Sequence, residues 1–327
     1  MEIGVDRDAP IMPRSTIIGI GAGLVSSLLS STAAIGPGLG LILAYFSILP
    51  ILLVGLSQGK KPANFAVVSG ILSAILLSNM YQGVFYCISI AFPAWLIILT
   101  ALAPQRDNKT SSNPIPIGEI ISRLVILGGI ILILSAIILS NNLSELPKDI
   151  ESLLYKIIMN NSPGLNMTAN HRLLVERMVP LFPSIIFLSW LLMIIINTLV
   201  AQAILIKASV NLKPAFQYSK IKAPEWIYWI FATSGILTLI GPNNLEYLSR
   251  NLTAIILIPF LFIGLGVIHT AARKFRSPSV ILVPLYFFII ISSWPSFIAI
   301  LLGFFEKWTN FRQKFKSNTP EDKTTIE

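Results

Sequence analysis

Charged residues are scarce in this chain, because Asp, Glu, Lys and Arg together make up 12% of its 327 residues. Ordinary soluble domains carry about 25%. The hydrophobic share is 54% and the mean hydropathy is +0.76. Long apolar runs recur along the whole sequence, each close to the roughly 20 residues that cross a bilayer as a helix. The composition therefore predicts an all-α, polytopic transmembrane helical bundle.

Residues that carry redox, metal or catalytic chemistry are equally few. The single cysteine, Cys87, lies in an apolar run, which excludes a disulfide framework. The two histidines, His171 and His269, are far apart in the sequence, so we expect no metal and no cofactor. The sequence contains no HExxH motif and no P-loop motif, and it offers no paired aspartates within the apolar runs. We expect no catalytic residue and a protein that is not an enzyme.

The net charge of +9 raises the question of a nucleic-acid partner. The lysines and arginines, however, gather in short clusters between the apolar runs, which is typical of cytoplasmic loops. The expected partner is therefore the lipid bilayer, and no nucleic acid is predicted.

Eight apolar runs are predicted to span the membrane. They lie at about 16–33, 39–57, 63–79, 83–103, 118–140, 179–206, 226–241 and 251–272. If the N-terminus is cytoplasmic, four basic loops fall on the cytoplasmic side, as the positive-inside rule requires. Those loops carry Lys60 and Lys61; Arg106 and Lys109; Lys207, Lys213, Lys220 and Lys222; and Arg273, Lys274 and Arg276. We expect a multi-pass protein of the bacterial inner (plasma) membrane with its N-terminus in the cytoplasm.

The last apolar stretch, at about 278–304, leaves two alternatives open. A single kinked ninth span would place the basic tail outside the cell, against the positive-inside rule. A broken helix or re-entrant hairpin, interrupted near Pro295 in "SSWPS", would return the tail to the cytoplasm.

The domain organisation follows from these spans. We expect one integral membrane domain over 1–306, followed by a basic and then polar tail over 307–327 that is disordered. The sizeable external segment is 141–178, where an amphipathic helix lies along the outer membrane surface or caps the bundle. Its apolar stripe is Ile150, Leu153, Leu154, Ile157 and Ile158.

Small residues recur at four-residue spacing in the early spans, a pattern that lets helix backbones approach closely in lipid. The first ridge contains Gly19, Gly23 and Ser27, and another contains Gly70. One interpretation is packing between the first three spans. The alternative is that the first ridge docks a separate membrane subunit.

Polar and aromatic residues inside the apolar runs suggest a ligand site. Asn197 and Gln202 are amides in the sixth predicted span, and Trp95 and Trp190 lie near span centres, away from the headgroup level. Asn79 is in the outer turn between the third and fourth spans. Buried core packing is one interpretation of this set. An aromatic pocket with a few convergent amides, which suits a neutral small molecule, is the other.

The segment "GPGLG" at 36–40 resembles a phosphate-binding loop in composition only, since it follows no strand and has no lysine. Its position between two apolar runs predicts a tight outer turn. A short unwound segment lining an outward-facing pocket is the alternative.

Several stretches together resemble the YybS-like family of uncharacterised bacterial multi-pass membrane proteins. They are "GPGLGLILAYFSILPILLVGLSQG", "IINTLVAQAIL", "PFLFIGLGVIHTAAR" and "LLGFFEKWTNFR". The first half is also similar to the substrate-binding membrane subunits of energy-coupling-factor transporters and to the rod-shape protein MreD. In those transporter subunits a small-residue face on the first helix docks the energising subunit, and Gly19, Gly23 and Ser27 occupy the matching place.

Two functions are therefore expected. The first is a transport-related, small-molecule-binding membrane module that acts with partner subunits and has no energy source of its own. The alternative is a non-transporting membrane scaffold for envelope-assembly proteins, which uses its helix faces and basic loops.

Overall fold

The structure is a computed structural model and describes residues 13–36, 38–103, 115–138, 145–161, 169–214, 221–275, 277–292 and 294–317. All regular structure in these ranges is helical, which confirms the predicted fold class. The helices, in chain order, are α1 (Arg14–Ser31), α2 (Leu39–Tyr45), α3 (Leu49–Gln58), α4 (Lys60–Leu77), α5 (Met80–Tyr86), α6 (Phe92–Ala101), α7 (Ile117–Ile138), α8 (Leu146–Asn161), α9 (Ala169–Met178), α10 (Phe182–Lys207), α11 (Trp226–Ile240), α12 (Asn243–Ala272), α13 (Ser279–Ile291), α14 (Trp294–Thr309) and α15 (Phe311–Ser317).

Seven segments within the described residues are long and apolar enough to cross a membrane. They are Arg14–Ala34, Leu39–Gln58, Lys60–Leu77, Met80–Ala101, Ile117–Ile138, His171–Lys207 and Asn244–Ala272. Each corresponds to a predicted span. The remaining predicted span is the shorter α11, whose 15 residues reach about 22 Å against a hydrocarbon core of about 30 Å.

The chain divides into two compact units. The first contains 1–115 and 192–216, and the second contains 116–191 and 217–327. The first unit therefore holds α1 to α6 and the C-terminal part of α10, and the second holds the remaining helices.

In the first unit, α1 packs closely against α4. The Cα of Gly19 faces the carbonyl of Pro62, and that of Gly23 faces the backbone of Ala66 and Gly70, so a β-carbon at either glycine would collide with α4. Further along the same contact, the hydroxyl of Ser27 donates to the Ser73 hydroxyl at 2.7 Å. This is the close backbone approach that small residues allow between membrane helices.

The "GPGLG" segment has turn geometry at its two described glycines before α2. Gly36 has φ +124° and Gly38 has φ +99°, a region in which glycine is strongly favoured. Pro37 lies outside the described residues. Helix α2 begins directly afterwards, at Leu39.

In the second unit, the 30-residue helix α12 packs against α7, α11 and α14. Gly264 and Gly303 face each other across the α12–α14 contact. A β-carbon added at either position would collide with the backbone of the opposite helix. Next to this contact, the rings of Tyr228, Phe260 and Phe304 lie with centroids 5.0 to 5.7 Å apart.

The chain bends by 115° between Ser279–Ile289 and Trp294–Thr309, with Ser293 outside the described residues. Gly264 of α12 meets Gly303 of α14. Further along both segments, just after α12 and within α15, the ammonium of Lys274 lies 5.1 Å from the centroid of the Phe315 ring. The end of α14 therefore lies at the same end of α12 as Lys274. Of the two alternatives for 278–304, this geometry favours the broken helix over the ninth span.

The tail from residue 307 begins with structure that its composition does not predict. Lys307 still belongs to α14, and Phe311–Ser317 forms α15. The cause is a buried ion pair between Arg312 and Glu306, which ties α15 to the end of α14. Residues 318–327 lie outside the described residues.

The described part of the external segment contains α8 and α9. The stripe residues Leu153 and Ile157 are 50% and 47% exposed, whereas Ile150, Leu154 and Ile158 are half-buried. Residues 141–144 and 162–168 lie outside the described residues.

Candidate functional site

The second candidate span is interrupted near its middle, at Phe46–Ile48, between α2 and α3. Pro50 has no N–H, so it cannot pair with the Phe46 carbonyl as the residue four positions later in a helix normally does. That carbonyl accepts instead from the amide of Leu49 at 3.1 Å, and the Ser47 amide donates to Ala44 at 3.1 Å. These tighter i→i+3 bonds leave the carbonyls of Tyr45 and Ser47 to partners from other helices. We call Tyr45–Ile48 the span break.

Two hydroxyls, one from α1 and one from α5, form a chain of hydrogen bonds that ends at the span break. Ser26 Oγ donates to the Ser47 carbonyl at 2.5 Å and is 2.6 Å from Tyr86 Oη. A carbonyl cannot donate, and a serine hydroxyl has one hydrogen, so Tyr86 must be the donor to Ser26. All three residues are fully buried. Both hydroxyl hydrogens are thus committed.

Asn197, on α10, supplies the third polar group at the span break. Its Nδ2 donates to the Tyr45 carbonyl at 2.7 Å and to the Met193 carbonyl at 2.8 Å. Because both neighbours of the nitrogen are acceptors, the amide is oriented with Nδ2, and not Oδ1, toward these two carbonyls. Asn197 is fully buried, and its Oδ1 has no hydrogen-bond partner. The hydroxyl of Ser47, also fully buried, has none either.

Gly70 makes room for the tyrosine of this site. A β-carbon at Gly70 would lie 2.5 Å from Tyr86 Oη, which is far inside ordinary contact distance. Gly70 therefore supports the hydroxyl that donates to Ser26, in addition to facing Gly23 across the α1–α4 contact.

Gln202, the second predicted amide, lies in a different place from the span break. Its Nε2 is 3.5 Å from the Pro214 carbonyl, and its buried Oε1 has no hydrogen-bond partner. It lines a cavity of about 10 Å³ with Leu56, Asn211 and Lys213 among its walls. That volume holds about one water molecule, whereas ligand pockets usually measure roughly 300–1,000 Å³.

Trp95, Trp190 and Asn79 have partners of their own. Trp95 Nε1 donates to Asn64 Oδ1 at 3.0 Å, and Asn79 Oδ1 accepts the Gln82 amide at 2.9 Å, which caps α5. Trp190 lies in the second unit, where its ring centroid is 5.3 Å from that of Phe187. Of the five predicted ligand residues, Asn197 is the one whose side chain bonds to the span break.

The buried amide of Asn251, on α12, was not singled out from the sequence. Its Oδ1 accepts from the amide and the hydroxyl of Ser184, and its Nδ2 donates to the carbonyls of Pro180 and Tyr247 at 2.9 Å. An uninterrupted helix would pair the Ser184 amide with the Pro180 carbonyl. Asn251 therefore bridges an interrupted turn at the start of α10, and its hydrogen-bonding capacity is used.

Charge pairs lie near the helix ends. Glu119 and Arg123 form the i, i+4 ion pair that their spacing suggests, at 2.5 Å and with both side chains more than 40% exposed. Glu306 and Arg312 form a second pair at 2.8 Å, with both side chains 10% exposed. Its signal in the sequence is weak, because the two residues are six positions apart and come together only where the chain turns between α14 and α15.

The fold and this site define a polytopic helical membrane protein with a polar break inside one of its spans. The chain belongs to the family described as "Predicted membrane protein (DUF2232)", which matches residues 24–306. No curated protein and no solved structure matches the chain.

Proposed function

We propose that the chain is a transport-related, small-molecule-binding module of the bacterial inner membrane that acts with partner subunits. The observation that carries the proposal is the span break, where Asn197 Oδ1 and Ser47 Oγ are buried without hydrogen-bond partners. Buried polar groups are almost always satisfied, and exceptions point to functional sites. In many transporters, broken helices near the bilayer midplane form the substrate and ion sites.

Partner subunits are part of the proposal because the sequence has no nucleotide-binding P-loop. The similarity to substrate-binding subunits of energy-coupling-factor transporters supports the same idea and stays a prediction. Since Gly19, Gly23 and Ser27 already contact α4, the packing interpretation of that ridge is favoured over docking of a partner. We also propose a cytoplasmic N-terminus, on the strength of the four basic loops.

Binding of small molecules to the purified protein in lipid nanodiscs tests this function. A panel of labelled vitamin-like and amphiphilic compounds is measured on the wild type, on Asn197→Ala and on Ser57→Ala. Ser57 is the matched control because its hydroxyl bonds within its own helix, to the Leu53 carbonyl at 2.6 Å. We expect one class of compound to bind at micromolar concentration to the wild type and the control, and to lose about tenfold or more in affinity in Asn197→Ala. No binding anywhere in the panel would contradict the proposal.

The scaffold alternative is tested by crosslinking and purification from native membranes. An ATP-driven transport partner supports the proposed function, whereas cell-wall or division proteins without any bound ligand support the scaffold. Basic residues next to helix ends, such as Lys213, Lys222 and Lys274, would favour anionic lipid in either case.

A further inference from the structure

We propose that the span break is a binding site for a monovalent alkali cation, with sodium as its probe. The proposed ligands are two buried oxygens that have no hydrogen-bond partner, Asn197 Oδ1 and Ser47 Oγ. This inference goes beyond small-molecule binding and does not depend on it.

The hydrogen-bond donors of Ser26, Tyr86 and Asn197 are already used. Ser26 donates to the Ser47 carbonyl, Tyr86 donates to Ser26, and the Asn197 amide donates to two carbonyls. The capacity that remains lies on Asn197 Oδ1, which can only accept, and on the hydroxyl of Ser47, which can accept through its lone pairs and still has its own hydrogen. An occupant in contact with Asn197 Oδ1 must therefore be a cation or a hydrogen-bond donor.

The break collects further oxygens in the same small region. Asn197 Nδ2 is 2.7 Å from the Tyr45 carbonyl, so the amide reaches the same turn as Ser47. The Ser47 carbonyl and Tyr86 Oη lie next to Ser26. Carbonyl and hydroxyl oxygens in unwound membrane helices coordinate sodium in transporters, and rings of neutral carbonyls replace the hydration shell of potassium in channels.

The charge of the site favours a monovalent over a divalent ion. The groups at the break are neutral: two serines, a tyrosine, an asparagine and backbone carbonyls. Calcium sites are usually built with carboxylates, and magnesium keeps several water ligands that need room. Burying one positive charge among neutral oxygens at this depth costs less electrostatic free energy than burying two.

The position of the break suits an ion that moves with a transport cycle. Phe46–Ile48 lies close to the middle of the Leu39–Gln58 span. Two half-helices that meet at such a point can shift without breaking a continuous hydrogen-bond ladder, because Pro50 has already interrupted it.

Thermal unfolding of the full chain in nanodiscs, without any organic ligand, tests the site. The melting temperature is measured against NaCl, KCl and LiCl, with choline chloride keeping the ionic strength constant, and radioactive sodium binding is measured in parallel. We expect a saturable rise in melting temperature with at least one alkali ion. Because no organic compound is present, a failure here leaves small-molecule binding to be judged by its own assay.

Two pairs of variants localise the effect. Ser47→Ala and Asn197→Ala each remove one ligand oxygen, and about tenfold weaker ion binding is expected from each. Their controls are Ser57→Ala, in the same span, and Thr198→Val, whose hydroxyl bonds within α10 to the Ile194 carbonyl at 2.8 Å. If Asn197→Ala does not fold, Ser47→Ala carries the test alone. No alkali-ion response in the wild type, a response to divalent ions only, or equal binding by Ser47→Ala and Ser57→Ala would overturn the proposal.

Discussion

Asn197 and Asn251 are both fully buried asparagines in long membrane helices, yet the hydrogen bonding of their amide oxygens differs. Asn251 uses its oxygen and both of its hydrogens on neighbouring chain segments. Asn197 uses its hydrogens but leaves its oxygen without a partner. The cost of an unsatisfied buried acceptor is about 1–3 kcal/mol, and this difference is the reason why the proposed binding function is placed at Asn197 and not at Asn251.

Gly70 offers a prediction at the scale of one residue. In Gly70→Ala the new methyl group would press on Tyr86 Oη, which its hydrogen bond to Ser26 holds in place. We expect a loss of about 1–3 kcal/mol, as in other overpacked cores, seen as a lower melting temperature in detergent.

The control for this substitution is Gly21→Ala, since a β-carbon at Gly21 meets no atom within 4 Å. That variant should keep its stability or gain up to about 1 kcal/mol from helix propensity. Adding Tyr86→Phe to Gly70→Ala removes the contacting oxygen, so the double variant should lose less than the sum of the two single losses. Equal melting temperatures for Gly70→Ala and Gly21→Ala would contradict the packing described here.

At the scale of whole helices, membrane spans were predictable and their interruptions were not. The spans follow from runs of apolar residues whose length the bilayer fixes. The span break depends on Pro50, which "SILP" displays, but also on Ser26, Tyr86 and Asn197, which come from three other helices. A sequence without an alignment carries no sign of which hydroxyl meets which carbonyl. For the same reason Asn197 could be suspected as an isolated polar residue, whereas Ser47 and Tyr86 could not.

The junction between α9 and α10 gives the prediction at this scale. Asn251→Leu keeps the approximate size of the side chain but leaves the Ser184 amide and the Pro180 carbonyl without their present partner. We expect a loss of about 1–3 kcal/mol in the free energy of unfolding. Asn64→Leu is the control, because Asn64 is exposed and accepts its hydrogen bond from the Trp95 indole, so a loss below about 1 kcal/mol is expected. Similar losses for the two variants would show that Asn251 is not a bridge.

For the molecule as a whole, the distribution of basic residues and the contacts of the terminal helices both indicate on which side of the membrane the C-terminal tail lies. The sequence alone left open whether the basic tail lies outside the cell after a ninth span or returns to the cytoplasm through a broken helix. In the structure the contact of Lys274 with Phe315, together with the contact of Gly264 with Gly303, brings α15 to the basic end of α12. The tail and the loop that carries Arg273 and Lys274 then share one side, as the positive-inside rule requires.

Single-cysteine labelling can decide this arrangement, and the chain suits it because Cys87 is its only cysteine. In a Cys87→Ser background, Arg273→Cys, Gln313→Cys and Asn244→Cys are exposed positions in one compact unit. Asn244 lies near the start of the 30-residue α12 and Arg273 just beyond its end, about 45 Å apart along the helix.

A membrane-impermeant maleimide is applied to right-side-out and to inverted vesicles. We expect Gln313→Cys and Arg273→Cys to be labelled from the same side, the cytoplasmic face in our orientation, and Asn244→Cys from the other. A ninth span would instead label Gln313→Cys together with Asn244→Cys, because α14 would have carried the tail across the bilayer. The pairing of labels depends on the terminal helices alone, so it tests the returning tail even if the whole protein were inserted with its N-terminus outside.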